Sequence, residues 1–262
     1  MGALTGRIAL VTGGGSVADA ISIGRAIAVR FAREGAFVGV VDVDVDRARN
    51  TVSGVEAEGG VAEAIVADVT VEEQCERAVA AIVGRWGRLD VLVNGVGIVP
   101  KVNRIEGMDV DEWDHVMAVN VRSAALMAKA AIPHMTGGGA VVSISSISGL
   151  RASGAGAYGP SKAALIALAR ELAVSFGPRG IRSNSIAPGH MYTPLVAGTL
   201  SPEARERRRR IAPLQIEGDA WDVAAAALFL ASDESRFVNG VCLPVDGGVT
   251  ATSALSASAF VS

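Results

Sequence analysis

Residues 8–24 read IALVTGGGSVADAISIG, and this stretch decides the fold. The continuous apolar run Ile8–Thr12 indicates a buried strand, three glycines follow it, and Ile23–Arg33 has helical spacing. A glycine-rich turn that enters a helix lets backbone N–H groups and the helix dipole bind a pyrophosphate. The stretch therefore predicts the first strand, phosphate turn and first helix of a dinucleotide-binding fold.

The alternation of short apolar runs with helical segments continues along nearly the whole chain. Continuous apolar runs are typical of strands that are covered on both faces. We therefore predict a single α/β domain with a doubly wound, Rossmann-type parallel sheet of about seven strands, whose ligand crevice lies at their carboxyl ends. The predicted strands are Ile8–Thr12, Phe37–Asp42, Ala62–Ala67, Val91–Asn94, Ala140–Ser145, Ile181–Ile186 and Gly240–Asp246. The predicted helices include Ile23–Arg33, Glu72–Trp86, Trp113–Met135, Tyr158–Phe176 and Trp221–Ala231.

The domain is expected to span residues 1–248, with two segments that break the alternation. Residues 188–218 contain Pro, Gly and a charged stretch, and we interpret them as a mobile lid over the crevice. The arginine run within them, residues 205–210, is interpreted as a solvated helix face, with a phosphate clamp as the alternative. Residues 249–262 form a small, polar tail that either frays or docks on a neighbouring subunit.

Composition excludes several functional classes. The 262 residues include 24 Lys and Arg against 27 Asp and Glu, for a net charge of −3. Binding to nucleic acid or to an anionic membrane needs a basic surplus, which this chain lacks. Neither a membrane-spanning apolar run nor a metal-binding cysteine pattern is present in the sequence. We expect a cytoplasmic protein with no metal, no membrane and no nucleic-acid partner.

An acidic residue stands at the end of the second predicted strand, 18 residues after Gly24. A carboxylate at this place accepts hydrogen bonds from ribose hydroxyls and repels a 2′-phosphate. Asp42 therefore favours NAD over NADP as the cofactor. Asp44 is the alternative if the strand register is shifted.

The catalytic chemistry is predicted from Tyr158-Gly-Pro-Ser-Lys162, which holds one of the two tyrosines and one of the three lysines. The i, i+4 spacing places both side chains on one helix face. A lysine ammonium near a phenol stabilises the phenolate and lowers its pKa, so Tyr158 can act as a general acid/base. Just upstream, a predicted strand ends in Val142-Ser-Ile-Ser-Ser146, which delivers hydroxyls to the same edge of the sheet.

In their order and spacing, these motifs resemble the short-chain dehydrogenase/reductase family over residues 6–248. The matching segments are Thr12-Gly13, Asp42, Asp68-Val69, Asn94-Gly-Val-Gly97, Asn120, Ser146, Tyr158 with Lys162, Pro188-Gly189 with Thr193, and Val245-Asp-Gly-Gly248. The resemblance implies a Rossmann-type fold, a nicotinamide cofactor, a small-molecule substrate and a homotetramer or homodimer.

The resemblance also implies a role for each matching residue. Tyr158 would exchange a proton with the substrate oxygen, and Lys162 would bind the nicotinamide ribose and lower the tyrosine pKa. Ser146 would orient the substrate, with Ser145 as the alternative, and Asn120 would hold a water of the proton relay. The implied cofactor contacts are Gly13, Ser16, Ser22, Ile23, Asp42, Asp68, Val69, Asn94, Gly95, Val96, Tyr158, Lys162, Pro188, Gly189, Met191 and Thr193. The candidate substrate contacts are Ser148, Arg151, His190 and Tyr192.

The phosphate turn departs from the family's pattern Thr-Gly-x-x-x-Gly-x-Gly. Val17 and Asp19 stand where that pattern has glycine. The pattern is restored if Val17–Ile21 is a five-residue insertion and the motif ends at Ser22-Ile23-Gly24. Such an insertion would fold over the adenosine.

The expected function is that of an NAD(H)-dependent oxidoreductase that interconverts a secondary alcohol and a ketone on a small or medium organic molecule. An NADPH-dependent carbonyl reductase is the first alternative, and Asp42 disfavours it. An NAD-binding sensor without activity is the second, and the complete Asn, Ser, Tyr and Lys set disfavours it. An enoyl reductase would place its lysine seven residues after the tyrosine, where this chain has Leu165.

Overall fold

A parallel sheet of seven strands lies at the centre of the part of the chain that the computed structural model describes, residues 2–18, 20–101, 104–198 and 200–253. The strands are β1 (Ile8–Thr12), β2 (Phe37–Asp42), β3 (Val61–Val66), β4 (Val91–Asn94), β5 (Gly139–Ile144), β6 (Ile181–Pro188) and β7 (Cys242–Val245). Their order in the sheet is β3-β2-β1-β4-β5-β6-β7. The chain therefore reverses its direction of winding between β1 and β4, and the predicted doubly wound sheet is confirmed.

Helices cover both faces of the sheet. They are α1 (Ile23–Arg33), α2 (Val45–Ala57), α3 (Glu72–Trp86), α4 (Val110–Met117), α5 (Ser123–Ala131), α6 (Tyr158–Phe176), α7 (Pro194–Ala197), α8 (Pro202–Ile211) and α9 (Ala220–Ala231). Buried side chains of α1, α2 and α9 share one apolar cluster, and those of α3, α5 and α6 share another. Within the described residues, no helix is both long and apolar enough to cross a membrane.

Strand β1 shows why residues 8–11 are all apolar. Ala9 and Val11 pack into the cluster with α1 and α9, whereas Ile8 and Leu10 pack into the cluster with α3 and α5. Successive side chains of a strand point to opposite faces, so a sheet covered on both sides needs apolar residues on both. Leu10 is fully buried, and its truncation to alanine would cost about 2–5 kcal/mol.

The observed elements differ from the prediction mainly between residues 110 and 135. The predicted helix Trp113–Met135 is interrupted: a π-helical turn (Ala118–Arg122) joins α4 to α5, and a 3-10 turn (Ile132–His134) ends the segment at Pro133. Proline has no backbone N–H to donate to a helical hydrogen bond, which explains the end of α5. Among the strands, β6 extends to Pro188, whereas β7 is shorter than predicted.

The segment between β6 and α9 contains the two helices α7 and α8. Helix α8 begins after Ser201, whose side chain accepts a hydrogen bond from the Ala204 N–H at 3.2 Å. Residues 188–218, interpreted above as a lid, form a helical excursion over their described part. The excursion brings α8 beside the carboxyl ends of the strands, where it lines the cavity described below.

Candidate active site

The glycine-rich turn after β1 is packed closely against the start of α1. Gly13 has a φ of +64°, which favours glycine. A Cβ at position 24 would collide with the carbonyl oxygen of Gly13. Ser22 caps α1 by accepting from the Arg25 N–H at 3.1 Å, and its hydroxyl donates to the Gly15 carbonyl at 3.0 Å. Gly24 therefore occupies the position of close helix–strand packing, as the motif ending at Ser22-Ile23-Gly24 requires, and Ile23 lines the cavity.

The insertion Val17–Ile21, of which Asp19 lies outside the described residues, is tied to α1 and α2. The Arg25 guanidinium donates to the carbonyls of Ala18 and Ala20, at 2.5 and 3.3 Å. The Asn50 amide donates to the carbonyl of Ser16 at 3.0 Å and to that of Ala18. We expected Ser16 to bind the cofactor, but its hydroxyl donates to the Ala20 carbonyl and its N–H to the Arg47 carbonyl. Because both donors of Ser16 are used within the protein, the structure gives it a role in shaping the loop.

The carboxylate of Asp42 lies against the phosphate turn. One of its oxygens accepts the Gly15 N–H at 3.0 Å and the other accepts the Asp44 N–H at 3.1 Å. Each carboxylate oxygen has a second lone pair, so Asp42 can still accept ribose hydroxyls. Asp44 instead caps α2, accepting from Asp46 and Arg47. This geometry favours Asp42 over Asp44 as the ribose ligand.

The ends of β1 and β4 meet where the winding reverses. The Gly95 N–H donates to the Thr12 hydroxyl at 3.1 Å, and a Cβ on Gly95 would lie 2.5 Å from the Thr12 carbonyl oxygen. Asn94 is buried, and its Oδ1 has no hydrogen-bond partner among the described residues. A buried amide oxygen without a partner is costly, so this atom marks a place for a ligand donor. Val96, partly buried, packs into the apolar cluster on the side of α3.

Asp68 and Val69 follow β3 at the same edge of the sheet. The side chain of Asp68 accepts the N–H and hydroxyl of Thr70, and these hydrogen bonds lower the pKa of its carboxyl. Val69 is buried, and its carbonyl accepts a hydrogen bond from the Cys75 thiol. Burial raises the pKa of that thiol to about 11, so Cys75 is an inert packing residue.

A cavity of about 450 Å³ opens at the carboxyl ends of β4, β5 and β6. Its lining contains all three side chains of the predicted Ser-Tyr-Lys group. The lining residues used below are Ser146, Ser148, Arg151, Tyr158, Lys162, Pro188, Gly189, His190, Met191, Thr193, Arg208, Val249 and Thr250.

Tyr158 stands at the first turn of α6, with Lys162 one turn later. The Lys162 ammonium nitrogen lies 5.5 Å from the centre of the Tyr158 ring. Burial raises the pKa of the Tyr158 phenol, and a hydrogen bond with the Ser146 hydroxyl opposes that rise. We expected Lys162 to lower this pKa; in the protein alone burial dominates, and the shift has the opposite direction.

Within the described part of the chain, Lys162 is buried without a carboxylate partner. Its Nζ donates to the Ile144 carbonyl at 3.0 Å, and burial lowers its pKa from 10.5 to about 8. A Cβ on Gly97 would lie 2.9 Å from Nζ, so this glycine leaves room beside the ammonium. Although buried, Lys162 is part of the cavity lining.

Ser146 and Ser145 are distinguished by their hydrogen bonds. The Ser145 hydroxyl is buried and donates to the Lys162 carbonyl at 2.7 Å, so it fixes α6 to the end of β5. The Ser146 hydroxyl accepts the Ser148 N–H at 3.1 Å and is hydrogen-bonded to the Tyr158 phenol. This arrangement favours Ser146 as the residue that meets the substrate oxygen.

Asn120 lies in the π-helical turn and is buried. Its Oδ1 accepts the Ile98 N–H at 2.7 Å, and its Nδ2 donates to the Ile98 carbonyl at 3.0 Å and to the Ser161 hydroxyl at 2.9 Å. Asn120 thereby joins the loop after β4 to α6. π turns frequently occur at functional sites, and this one aims the amide at the loop beside Lys162.

The turn after β6 contributes Pro188, Gly189, Met191 and Thr193 to the cavity, as expected for the nicotinamide end. His190 also lines it, and burial followed by the charge of Arg208 lowers the pKa of its imidazole.

Tyr192 differs from the expectation of a substrate contact. Its ring lies 3.6 Å below the guanidinium of Arg205, which binds Glu217, and it is not part of the cavity lining among the described residues. Tyr192 therefore supports the lid.

The start of the C-terminal tail also lines the cavity, through Val249 and Thr250. Arg151 donates to the carbonyls of Thr250 and, at 2.8 Å, Thr252. Arg151, a candidate substrate contact, lines the cavity, and these bonds also hold the tail. Residues 254–262, for which we expected fraying or docking on another subunit, lie outside the described residues.

Arg208, Val249 and Thr250 line the cavity without having been predicted as site residues. For Arg208 a signal existed: Ala204, Arg208 and Ile211 share one face of α8 at helical spacing, and all three are partly buried. The tail residues gave no signal, because a small, polar sequence is equally typical of a cavity wall and of a frayed terminus.

Known proteins are similar to this chain in sequence and in architecture. A family model described as enoyl-(acyl carrier protein) reductase matches residues 17–250. The 2,5-dichloro-2,5-cyclohexadiene-1,4-diol dehydrogenase of Sphingobium indicum is 38% identical over 248 residues, 94% of this chain and 96% of the relative. The chain belongs to the short-chain dehydrogenase/reductase family.

Two further relatives of this short-chain dehydrogenase/reductase extend the comparison. A short-chain dehydrogenase/reductase from Burkholderia xenovorans, known from its crystal structure, superposes with a TM-score of 0.90 at 42% identity, covering 97% of this chain and 100% of that one. Levodione reductase of Leifsonia aquatica is 38% identical over 259 residues, 94% of this chain and 95% of the relative. Together with the diol dehydrogenase, these matches support an alcohol/ketone oxidoreductase of this family.

Proposed function

We propose that the protein uses NAD(H) to interconvert a secondary alcohol and a ketone on a small or medium organic molecule. One observation carries the proposal: the hydroxyls of Ser146 and Tyr158 and the ammonium of Lys162 line the same cavity at the end of β5. Two hydroxyls can bind one substrate oxygen atom, and a nearby cation stabilises the phenolate. Together they can exchange a proton with a carbonyl or an alcohol.

The residues around the crevice fit a dinucleotide. Gly13 and Gly95 bring bare backbone to the point where the winding reverses, and Asn94 offers a buried oxygen without a partner. The first turn of α1 presents N–H groups to a pyrophosphate. Asp42, whose oxygens keep acceptor capacity, would bind the adenosine ribose. When bound, the nicotinamide ring supplies or accepts the hydride.

The proton is handled by the chain's own side chains. In ketone reduction, the Tyr158 phenol donates its proton to the substrate oxygen, and its raised pKa keeps the proton in place until then. Ser146 donates a hydrogen bond to the same oxygen and positions it. Lys162 stabilises the phenolate as the proton leaves. Asn120 holds the loop beside Lys162, and the proton relay to solvent starts from this loop.

An NAD preference follows from charge. A 2′-phosphate beside the Asp42 carboxylate would meet repulsion and would remove a hydrogen bond. Although the matching family model is named for an enoyl reductase, residue 165 is a buried leucine and the lysine follows Tyr158 by four residues. This spacing favours the alcohol/ketone reaction.

The test is a turnover assay of the purified protein with NAD and, separately, NADP. One relative is named for a cyclohexadiene-1,4-diol and another for 2-(R)-hydroxypropyl-CoM, so the panel should contain cyclic and open-chain secondary alcohols. We expect NADH formation with at least one alcohol, and a lower kcat/KM with NADP. Faster turnover with NADP would support the carbonyl-reductase alternative. Binding of NADH without turnover of any alcohol or ketone would support the sensor.

A further inference from the structure

Arg208 differs from the other arginines of α8 by its place in the cavity wall. It is half-buried beside His190 and Met191. By contrast, Arg205 binds Glu217 and Arg209 binds Glu206, and neither arginine is in the cavity lining. Among the described residues, Arg208 is thus the arginine of this run that lines the cavity.

The cavity has an excess of positive charge. Arg151, Lys162 and Arg208 line it, and among the described residues no Asp or Glu does. Such a lining disfavours a cationic substrate and attracts an anionic one.

Three acidic groups around Arg208 are engaged elsewhere, and two of them, Asp222 and Asp246, line a neighbouring cavity together with Arg208. Glu217, whose charge acts on Arg208, has both oxygens on Arg205. Asp222 accepts the Asp219 N–H at 2.9 Å, and Asp246 accepts the N–H groups of Gly248 and Thr250 at 2.9 and 2.7 Å. Within the described part of the chain, Arg208 forms no ion pair.

The guanidinium of Arg208 also has donors to spare. Its one hydrogen bond among the described residues is a long one, 3.4 Å from Nη2 to the Met191 carbonyl. A guanidinium has five N–H donors in a fixed fork that matches a carboxylate. Burial without a counterion is unfavourable for this charge and lowers its pKa, and an anion would relieve that cost.

We propose that the substrate carries a carboxylate in addition to its reacting carbonyl or alcohol, and that Arg208 binds this carboxylate from the lid. The inference rests on the proposed oxidoreductase function and names its substrate class: oxo acids and hydroxy acids with a secondary alcohol. Arg208 is then a specificity-determining residue, separate from Tyr158, Lys162 and Ser146.

The test compares acids with their methyl esters. The pairs are 4-oxopentanoate and 4-oxocyclohexanecarboxylate, each with its ester, reduced with NADH by the wild type, Arg208→Met and Arg207→Met. Arg207 is exposed on the same helix and serves as the matched control. We expect the wild type and Arg207→Met to prefer at least one acid by about tenfold or more in kcat/KM. Arg208→Met should lose this preference and keep its ester activity, and Arg208→Lys should restore part of it.

Two kinetic outcomes would overturn the inference. One is a wild type that prefers both esters. The other is a preference for the acid that persists in Arg208→Met or falls equally in Arg207→Met. Unchanged ester turnover in Arg208→Met shows that the variant is folded.

A failure of the proposed function itself is recognised by the absence of turnover with acids and esters alike. In that case, calorimetric titration of 4-oxocyclohexanecarboxylate into the NADH-saturated wild type and Arg208→Met still decides the inference. Binding to the wild type that weakens about tenfold or more in Arg208→Met supports the carboxylate site. No binding to the wild type, or equal binding to both, overturns it.

Discussion

The floor of the cavity and its lid are built in opposite ways. On the floor, Lys162, Asn120 and Ser145 are buried and hydrogen-bonded to backbone atoms of neighbouring elements. On the lid, the main polar contacts are ion pairs such as Arg205 with Glu217, whose side chains are 46% and 26% exposed. The proposed chemistry is thus fixed to the sheet, whereas the proposed carboxylate contact, Arg208, lies on a segment whose polar contacts are more exposed.

The two kinds of contact differ in energy because solvent screens the exposed ion pairs and does not reach the buried hydrogen bonds. Exposed ion pairs contribute about 0–1 kcal/mol each, whereas loss of a buried hydrogen-bonded group leaves a partner unsatisfied at about 1–3 kcal/mol. Substitutions on the floor should therefore change the rate constant or the stability strongly. Those on the lid and tail should change KM and substrate preference.

The largest effect is expected for Tyr158→Phe, which removes the proton donor and leaves the ring in place. We expect kcat to fall by about 10²–10⁴-fold while NADH still binds, because Tyr158 is proposed as the acid/base. Steady-state assays and calorimetric titration with NADH measure the two quantities. A kcat near that of the wild type would show that another group transfers the proton.

The second prediction concerns Lys162 and the dependence of stability on pH. Its pKa is lowered from 10.5 to about 8, so between these pH values the unfolded chain holds a proton that the native protein has released. Stability therefore rises with pH across this window. Relative to Lys162→Met, the wild type should gain up to about 3 kcal/mol of unfolding free energy between pH 8 and pH 10.5.

Urea unfolding of the wild type and Lys162→Met at a series of pH values checks this, since other titrating groups cancel in the difference. A difference that stays constant from pH 8 to pH 10.5 would contradict the burial of an unpaired ammonium.

The third prediction concerns the adenosine end of the crevice. Asp42→Ala removes the proposed ribose ligand and the acceptor of the Gly15 N–H. We expect the NAD-over-NADP ratio of kcat/KM to fall by about tenfold, mostly through loss of NAD binding. Asp44→Ala is the control, because Asp44 caps α2 and should lower stability without changing the ratio. A ratio that changes in the control and not in Asp42→Ala would reverse the assignment.

The smallest effect is expected for Arg151→Met, on the tail side of the cavity. It frees the carbonyls of Thr250 and Thr252, so the wall formed by Val249 and Thr250 loosens. We expect a KM increase of about two- to tenfold for the organic substrate, with little change in kcat or in NADH affinity. A fall in kcat with an unchanged KM would place Arg151 on the floor instead.

The sequence predicts the floor better than the lid, for a physical reason. β1, β2 and β4 have the predicted bounds because a strand buried on both faces must be apolar throughout, which leaves an unmistakable run. Tyr158 and Lys162 share a cavity wall because their spacing fits one helix face. These features depend on local pattern alone.

The contacts of the lid, the tail and the insertion cannot be predicted from local sequence pattern. Tyr192 lies outside the cavity lining because the Arg205 guanidinium stacks on its ring. The hydroxyl of Ser16 donates its hydrogen bond to the Ala20 carbonyl within the same loop. Arg151 reaches Thr252, 101 residues away in sequence. The π-helical turn around Asn120 interrupts a helical pattern that reads as continuous. Each outcome depends on tertiary contacts that the spacing of residues does not encode.

The direct test of the central claim is a pair of calorimetric titrations of the wild-type protein, one with NADH and one with NADPH. The account predicts saturable binding of NADH and an affinity for NADPH at least about tenfold weaker, because Asp42 meets the 2′-phosphate. Equal or tighter binding of NADPH would contradict the role of Asp42. No binding of either would contradict the dinucleotide site itself.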